Sequence, residues 1–340
     1  GVAPPPAMNP NRKRRSTSAP SVEQLHAAVV RQDRVGFARA ITLVESEAEA
    51  DLPAAQELLD RCLPALGRAR RVGITGVPGV GKSTFIEAFG LYLAEEGHRV
   101  AVLAIDPTSE RTGGSILGDK SRMSLLSQHP NAFIRPSPSR MSLGGVAHRT
   151  RETMLLCDAA GFDAILVETV GVGQSETAVA GMVDAFLLLA LAGAGDELQG
   201  IKRGIMEMAD LLAITKADGD NRAAAELARA QLAHALHFFP AGPSGWTPPV
   251  ILTSAVEEMG IAEVWSSILA FLEATHASGE FERRRRKQRI RWFEAETQRR
   301  LYRRVGEAQV LAELEALRAK VGAGDVSPWH AAGQAMEWLK

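Results

Sequence analysis

The chain has 340 residues, of which 46% are hydrophobic, enough to bury one large core with smaller helical additions. Its 39 basic and 40 acidic residues give a formal charge of −1, so no overall electrostatic field draws the chain to nucleic acid. No apolar run is long enough to cross a bilayer, and the two cysteines, Cys62 and Cys157, lack the spacing of a metal site or a disulfide framework. We therefore expect reduced thiols, a cytoplasmic location and no membrane partner.

The first 70 residues divide into two predicted parts. Residues 1–20 combine several prolines with a basic cluster at 12–15, a composition that predicts a disordered tail; a targeting or anion-binding role for the cluster stays open. From 21 to 70 apolar residues such as Leu25 and Val29 recur at helical spacing. This pattern predicts an N-terminal helical extension of two or three helices.

Residues 71–278 are predicted to form the central domain. Short β-rich apolar runs alternate there with helical segments, which predicts an α/β fold with a mostly parallel sheet flanked by helices. The runs occupy 72–75, 100–105, 165–168, 186–191, 211–215 and 250–253. Because ligands of such sheets bind at the carboxyl ends of the strands, the residues after each run are the first candidates for a site.

The first run leads into the sequence GVPGVGKS at 76–83, which matches a P-loop in the strand–loop–helix context that this motif requires. Its glycines let backbone amides turn toward phosphates, Lys82 supplies a cation to the β- and γ-phosphates, and the Ser83 hydroxyl can ligate Mg²⁺. The residues predicted to bind nucleotide here are Gly76, Gly79, Val80, Gly81, Lys82, Ser83 and Thr84.

Carboxylates follow the second and third runs. Glu168 ends the third run and can enter the Mg²⁺ shell, while the amide of Gly171 can sense the γ-phosphate. Asp106 and Asp119 could complete the metal environment or position water, although charged loop residues are often only solvated. With Lys82, these three carboxylates form the predicted catalytic set, and with Ser83 they form the predicted metal site.

The nucleotide base is predicted from two further motifs. Lys216 and Asp218 belong to the sequence TKAD that ends the fifth run, and the Asp carboxylate can accept two hydrogen bonds from guanine that adenine cannot donate. Ser254 and Ala255 follow the sixth run, where a second part of a guanine pocket is expected. GTP is therefore favoured over ATP. Thr215 stands where most GTPases have Asn.

Residues 279–340 are rich in Arg and Glu, with apolar residues such as Phe293 at near-helical intervals, which predicts a long amphipathic helical arm. The basic run 283–287, close to Trp292, could also form a nucleic-acid patch. Glutamates flank the run, so we expect a solvated helical face or a dimer rim, and no nucleic-acid partner.

Taken together, these motifs resemble those of the MeaB, MMAA and ArgK family of GTPases, which are relatives of the HypB and UreG metallochaperones. The resemblance covers nearly the whole chain from about residue 22. It is carried by the P-loop and by the segments 34–46, 106–120, 168–176 and 193–202. Departures from the family pattern are Thr215, Ala192 before the last of these segments, and Met141.

The resemblance implies a G-protein chaperone for an adenosylcobalamin-dependent acyl-CoA mutase, either methylmalonyl-CoA mutase or a relative acting on isobutyryl- or 2-hydroxyisobutyryl-CoA. GTP binding and hydrolysis would gate cofactor loading and protect the mutase. The resemblance also implies Mg²⁺ and GTP or GDP as ligands, a homodimer formed by the C-terminal arm, and a cobalamin adenosyltransferase as a second partner. Asp196, Gln199 and Lys202 would form a third switch that relays the nucleotide state to the mutase.

Two other functions stay open at this point. One is phosphotransfer to a small molecule or a transport protein, although no acceptor-binding motif is evident. The other is metal delivery, for which only His234 and His237 are suggestive, and two histidines on a helix are more often surface residues. No residue matches the water-orienting Gln of Ras-like proteins, although Gln174 is nearby, so we expect slow intrinsic turnover that the partner stimulates.

Overall fold

A computed structural model describes residues 20–46, 48–105, 123–135, 143–169, 174–192, 203–239, 244–305, 308–323 and 325–337. Three helices precede the sheet: α1 (Val22–Val30), α2 (Arg34–Val44) and α3 (Leu52–Cys62). Ser21 and Gln24 form a reciprocal capping box at the start of α1, and Asp33 caps α2. Each such cap is worth about 1 kcal/mol, so sequence-local bonds fix where these helices begin.

The centre of the molecule is a seven-stranded sheet in which every pair of neighbouring strands is parallel. Its strands are β1 (Arg70–Gly76), β2 (Val100–Ala104), β3 (Ala132–Arg135), β4 (Ala164–Glu168), β5 (Ala185–Leu191), β6 (Leu211–Thr215) and β7 (Val250–Leu252). They lie in the order β3-β2-β4-β1-β5-β6-β7. The predicted α/β fold with a parallel sheet is therefore confirmed.

The edge strand β3 is absent from the sequence-based prediction, which placed six strands and none at 132–135. This strand has only four residues, and the side chains of Phe133 and Arg135 are half-buried. A short half-buried strand lacks the continuous apolar run that marked the others. Contacts with distant parts of the chain stabilise β3: it pairs with β2, and Arg34 donates a hydrogen bond to the carbonyl oxygen of Ala132 at 2.8 Å.

Helices cover both faces of the sheet. After β1 come α4 (Lys82–Glu95), α5 (Ser124–Gln128), α6 (Leu143–Ala159), α7 (Gln174–Ala180), α8 (Arg203–Met208), α9 (Arg222–Leu236) and α10 (Ile261–Ala277). One face buries Phe85, Phe89 and Trp265 among strand residues, and the other buries Phe37 and Leu58 of the N-terminal helices. The sheet is therefore shielded on both sides, as parallel sheets require.

The C-terminal part consists of α11 (Glu280–Val305), α12 (Ala308–Ala323) and α13 (Pro328–Glu337). The helical character expected for residues 279–340 is confirmed for the described residues, while the proposed division of the chain at 20, 70 and 278 stays a prediction. None of the described helices is long and apolar enough to span a membrane. Cys62 and Cys157 are both buried free thiols.

The basic run 283–287 is not only a solvated face. Arg285 pairs with Asp184 at 2.8 Å, and Arg284 pairs with Asp210 at 3.0 Å. Arg71 shares Asp184 from the other side. Burial raises the pKa of Asp184, but the two guanidinium groups outweigh that effect and lower it to about 2. These pairs join the start of α11 to the residues that precede β5 and β6, a contact that sequence spacing alone could not predict.

Candidate nucleotide-binding site

The glycine-rich loop connects β1 to α4 at the carboxyl edge of the sheet. Gly76 admits no side chain, because a Cβ atom there would lie 2.7 Å from the carbonyl oxygen of Leu189 on β5. Gly81, which precedes α4, has a φ of 91°, a left-handed conformation that L side chains rarely adopt. Val80 is fully buried and fastens the loop to the core. The loop therefore has the backbone freedom that a phosphate-binding turn needs.

Lys82 begins α4 and turns back toward the loop. Its ammonium group donates hydrogen bonds to the carbonyl oxygens of Gly76 at 2.8 Å and Val77 at 3.3 Å. Burial lowers the pKa of Lys82, while the charges of Glu168 and Glu176 oppose that shift. A half-buried ammonium group beside an open glycine loop is placed to neutralise an anionic ligand.

Ser83 and Glu168 meet where β4 ends. The Ser83 hydroxyl donates to the Glu168 carboxylate at 3.3 Å, and the amide of Ile105, at the end of β2, donates to the Glu168 carbonyl at 2.9 Å. A hydroxyl and a carboxylate are the hard oxygen ligands that Mg²⁺ prefers, so this pair fits the ion. The described residues contain no group of three His, Cys, Asp or Glu side chains that could hold a metal, and Asp106 and Asp119 lie outside them.

The predicted base-binding motif contacts the P-loop directly. The Thr215 hydroxyl lies 2.6 Å from the carbonyl oxygen of Val80, and Lys216 donates to the carbonyl oxygen of Gly79 at 3.0 Å. Lys216 itself has a φ of 56°, an uncommon backbone state for a non-glycine residue. The last residue of β6 and the residue that follows it thus donate hydrogen bonds to two consecutive carbonyl oxygens of the loop.

Asp218 is oriented by the segment that follows β7. Ser254 is fully buried and donates a short hydrogen bond to one carboxylate oxygen of Asp218. The amide of Ala217 bonds to the carbonyl oxygen of Thr253 at 3.1 Å, which joins the two segments again. The structure therefore brings the two predicted base motifs together, with Ala255 half-buried beside them.

Several predicted site residues lie outside the described ranges. They are Asp106, Asp119, Gly171, Asp196, Gln199 and Lys202. The catalytic, γ-phosphate-sensing and switch roles assigned to these residues therefore stay predictions. Met141, for which we have no physical account, lies outside these ranges too, whereas Thr84 is described and is exposed at the start of α4.

Some residues of the site were missed or misjudged from the sequence. The sequence marks Thr215 only as a departure from Asn and does not indicate its hydrogen bond to the P-loop. Thr75 and Thr169 are buried and share a hydroxyl–hydroxyl hydrogen bond of 2.8 Å between the ends of β1 and β4. Glu176 is fully buried, and its negative charge opposes the lowering of the pKa of Lys82 by burial. Only the β-branched residues at the strand ends could have hinted at such contacts.

A parallel sheet whose first strand passes through a glycine-rich loop into a helix headed by lysine defines a P-loop nucleoside triphosphatase. A family model described as "Methylmalonyl Co-A mutase-associated GTPase MeaB" matches residues 37–310. The chain belongs to this family, as its motifs predicted, and it is a GTPase.

Relatives agree with this assignment over most of the chain. A probable GTPase of Mycobacterium tuberculosis is 51% identical over 318 residues, which cover 93% of this chain and 95% of that protein. The mitochondrial methylmalonic aciduria type A homolog of Mus musculus is 49% identical over 283 residues, covering 80% of this chain and 68% of that protein. A solved LAO/AO transport system kinase has a TM-score of 0.71 and 38% identity, covering 94% of this chain and 97% of that chain.

Proposed function

We propose that the site binds Mg-GTP and hydrolyses it to GDP and phosphate. The observation that carries this proposal is the pair of contacts from Thr215 and Lys216 to the P-loop, because these two residues belong to the same motif as Asp218, the residue proposed to bind guanine. Asp218 can accept the N1 and N2 protons of guanine, which adenine does not offer in that arrangement.

The chain's own residues have distinct roles in this proposal. The loop amides and the Lys82 ammonium bind the phosphates, and Ser83 with Glu168 would hold Mg²⁺, which supplies charge neutralisation for the terminal phosphate. Asp106 and Asp119 are proposed to complete the metal site and to orient water. Gly171 is proposed to sense the terminal phosphate. Thr84, Ser254 and Ala255 line the nucleotide.

The nucleotide assignment is tested by calorimetry with magnesium present. We expect Lys82→Ala to abolish productive binding of GTP and Asp218→Asn to shift preference from guanine to xanthine nucleotides. Asp220→Asn is the matched control, because Asp220 is an exposed acid two residues away, and it should bind GTP like the wild type. If Asp218→Asn kept wild-type affinity for GTP, the base pocket would be misassigned.

We further propose that this GTPase serves an adenosylcobalamin-dependent acyl-CoA mutase. Support comes from the description of its family as mutase-associated and from the name of the mouse relative. Nucleotide state would be relayed by Asp196, Gln199 and Lys202, and would gate loading of the mutase by a cobalamin adenosyltransferase. Two copies of the chain would act together as a homodimer through the C-terminal arm.

The partner proposal is tested by steady-state hydrolysis. We expect slow turnover of GTP by the isolated protein and faster turnover when methylmalonyl-CoA mutase or its isobutyryl- or 2-hydroxyisobutyryl-CoA relative is added. Fast turnover of the isolated chain that no such mutase alters would contradict the chaperone role. That result would not contradict the separate proposal that the chain hydrolyses GTP.

A second candidate is transfer of the terminal phosphate to a small molecule or a transport protein. The solved structure at TM-score 0.71 is named a transport system kinase, which is the observation that favours it. Incubation with γ-labelled GTP separates the two candidates. Label recovered only as inorganic phosphate supports hydrolysis, whereas stable label on any other acceptor supports the kinase.

A further inference from the structure

A half-open cleft of about 620 Å³ lies at the amino-terminal edge of the sheet. Phe186, which lies at the start of β5, and Asp210, which directly precedes β6, mark its position. The P-loop and the base motif lie where these strands end, so the cleft is separate from the nucleotide site. Its volume is within the range of about 300–1,000 Å³ that is typical of pockets for small organic ligands.

Aromatic side chains form much of the cleft. The rings of Trp246 and Phe271 meet edge to face with centroids 5.4 Å apart, and Phe239 and Met206 add further apolar surface. The indole N–H of Trp246 donates to the carbonyl oxygen of Asp210 at 2.9 Å, which fixes that ring. A rigid aromatic wall favours the apolar body of a ligand, preferably a planar one.

The charged groups around the cleft are mostly neutralised. Arg284 pairs with Asp210, and Glu207 is engaged in an interaction of its own. Glu280 lies 2.6 Å from Arg283, although its buried Oε2 atom accepts no hydrogen bond from the described residues. Arg291 is exposed at the rim and, within the part of the chain that the structure describes, has no ion-pair partner. Among the described residues that line it, the cleft therefore offers the guanidinium of Arg291 as an unpaired cation beside an aromatic surface.

We propose that this cleft binds a small amphipathic organic anion. Its apolar body packs against Trp246 and Phe271, and its anionic group pairs with the guanidinium of Arg291. Helices α7 and α8 also line the cleft, through Thr177 and Met206. The proposal does not depend on the nucleotide assigned to the other edge of the sheet.

The test uses 8-anilinonaphthalene-1-sulfonate, an aromatic sulfonate, titrated into the full chain without nucleotide and followed by its fluorescence. We expect saturable binding at one site per chain. Arg291→Glu should weaken binding by about fivefold or more, because an attractive contact becomes repulsive. Lys287→Glu is the matched control, since it makes the same charge change on α11 at an exposed residue away from the cleft, and it should leave binding unchanged.

A second variant keeps the test independent of charge. Thr177 is exposed at the cleft, so Thr177→Trp should fold normally and block the space, with loss of the saturable signal. Thermal unfolding of each variant verifies folding. Binding that does not saturate, or that is equal in the wild type, Arg291→Glu and Thr177→Trp, would overturn the proposal.

Discussion

Thr215 carries one hydroxyl proton between two backbone acceptors. The carbonyl oxygen of Val80 lies at 2.6 Å and that of Ala190 at 3.3 Å, so the P-loop is the better-placed partner. The hydroxyl is buried, and a buried carbonyl that loses its donor is not compensated by water. Thr215 therefore supports the position of the P-loop as well as the base motif.

Replacing Thr215 by Val removes this hydroxyl at nearly constant volume. We expect Thr215→Val to weaken GTP binding by about tenfold, because a lost bond to a buried acceptor costs roughly 1–3 kcal/mol. Thr215→Ser should retain most of the affinity. Calorimetry with GTP and with tripolyphosphate tests whether the P-loop is displaced, since a displaced loop would weaken the binding of both ligands.

The control is Thr275→Val, which deletes a buried hydroxyl that bonds to the carbonyl of Leu272 within α10. It should leave both affinities unchanged. Wild-type affinity in Thr215→Val, or an equal loss in Thr215→Ser, would remove Thr215 from any positioning role.

The P-loop can be recognised from the sequence because all of its residues lie within one turn and one helix start, while the phosphate contacts assigned to these residues stay predictions. Thr215 and Val80 are 135 residues apart, so their bond depends on the order of β1, β5 and β6 in the sheet. A local pattern contains no information on that order. The same limit applies to Ser254 and Asp218, whose motifs were predicted while their direct bond was not.

Among the elements, α11 is joined to the sheet by Asp184, which is almost completely buried between Arg71 and Arg285. Asp184→Asn keeps the shape and removes the charge that both guanidinium groups need. We expect the free energy of unfolding to fall by about 3 kcal/mol, as when one partner of a buried ion pair is lost. Chemical denaturation measures the change.

The matched control for Asp184→Asn is Glu226→Gln, because Glu226 pairs with Arg229 on the exposed face of α9 at 2.7 Å. An exposed pair of this kind contributes less than about 1 kcal/mol. Equal stability of Asp184→Asn and the wild type would show that the cluster does not anchor α11.

Glu152 of α6 is influenced by charges on α11, because its pKa is raised to about 8 by burial and, secondly, by the charge of Glu296. In the unfolded chain its pKa is near 4.5. Because the folded state prefers the protonated form, the contribution of Glu152 to stability is present below pH 4.5 and is lost as the pH rises through about 8.

We therefore expect Glu152→Gln to become progressively more stable than the wild type between pH 4.5 and pH 8, the interval bounded by those two pKa values. Urea unfolding at both pH values measures this difference. Glu273→Gln, a change at an exposed residue of α10, should follow the wild type at each pH. A constant difference between Glu152→Gln and the wild type would refute the raised pKa.

Element prediction succeeded where strands are apolar on both faces, as β5 is with its run of buried residues. It failed for β3, whose pattern alternates between buried and half-buried side chains over four residues. The helical arm was predicted from periodicity, but its attachment was not, because Arg284 and Arg285 look like surface residues until Asp184 and Asp210 are placed beside them.

At the scale of the whole molecule, α11 exposes three large apolar side chains along the part of its length that the structure describes. Phe293 is 70% exposed, Leu301 52% and Ile290 48%. Exposed apolar groups along one helix are typical of a surface that another chain covers. This agrees with the homodimer proposed for the arm.

We expect Phe293→Glu to shift the protein toward monomer, because a charge would have to be buried in the proposed interface. Light scattering coupled to size-exclusion chromatography measures the mass. Val256→Glu is the control, since Val256 is 85% exposed in the segment after β7, outside the arm, and its mass should match the wild type. If Phe293→Glu kept the mass of a dimer at every concentration at which the wild type is a dimer, the interface would not include Phe293.

The ion pairs of Arg284 and Arg285 have a mechanical consequence. Ion pairs bind the start of α11 to the residues that precede β5 and β6. At its other end β5 leads into the segment of the proposed third switch, and β6 leads into the base motif. The five residues of β6 span only about 16 Å, and a hydrogen-bonded strand hardly stretches. A displacement of the start of α11 along the strand direction would therefore reach the proposed base motif with little loss, because β6 would move with it as one unit.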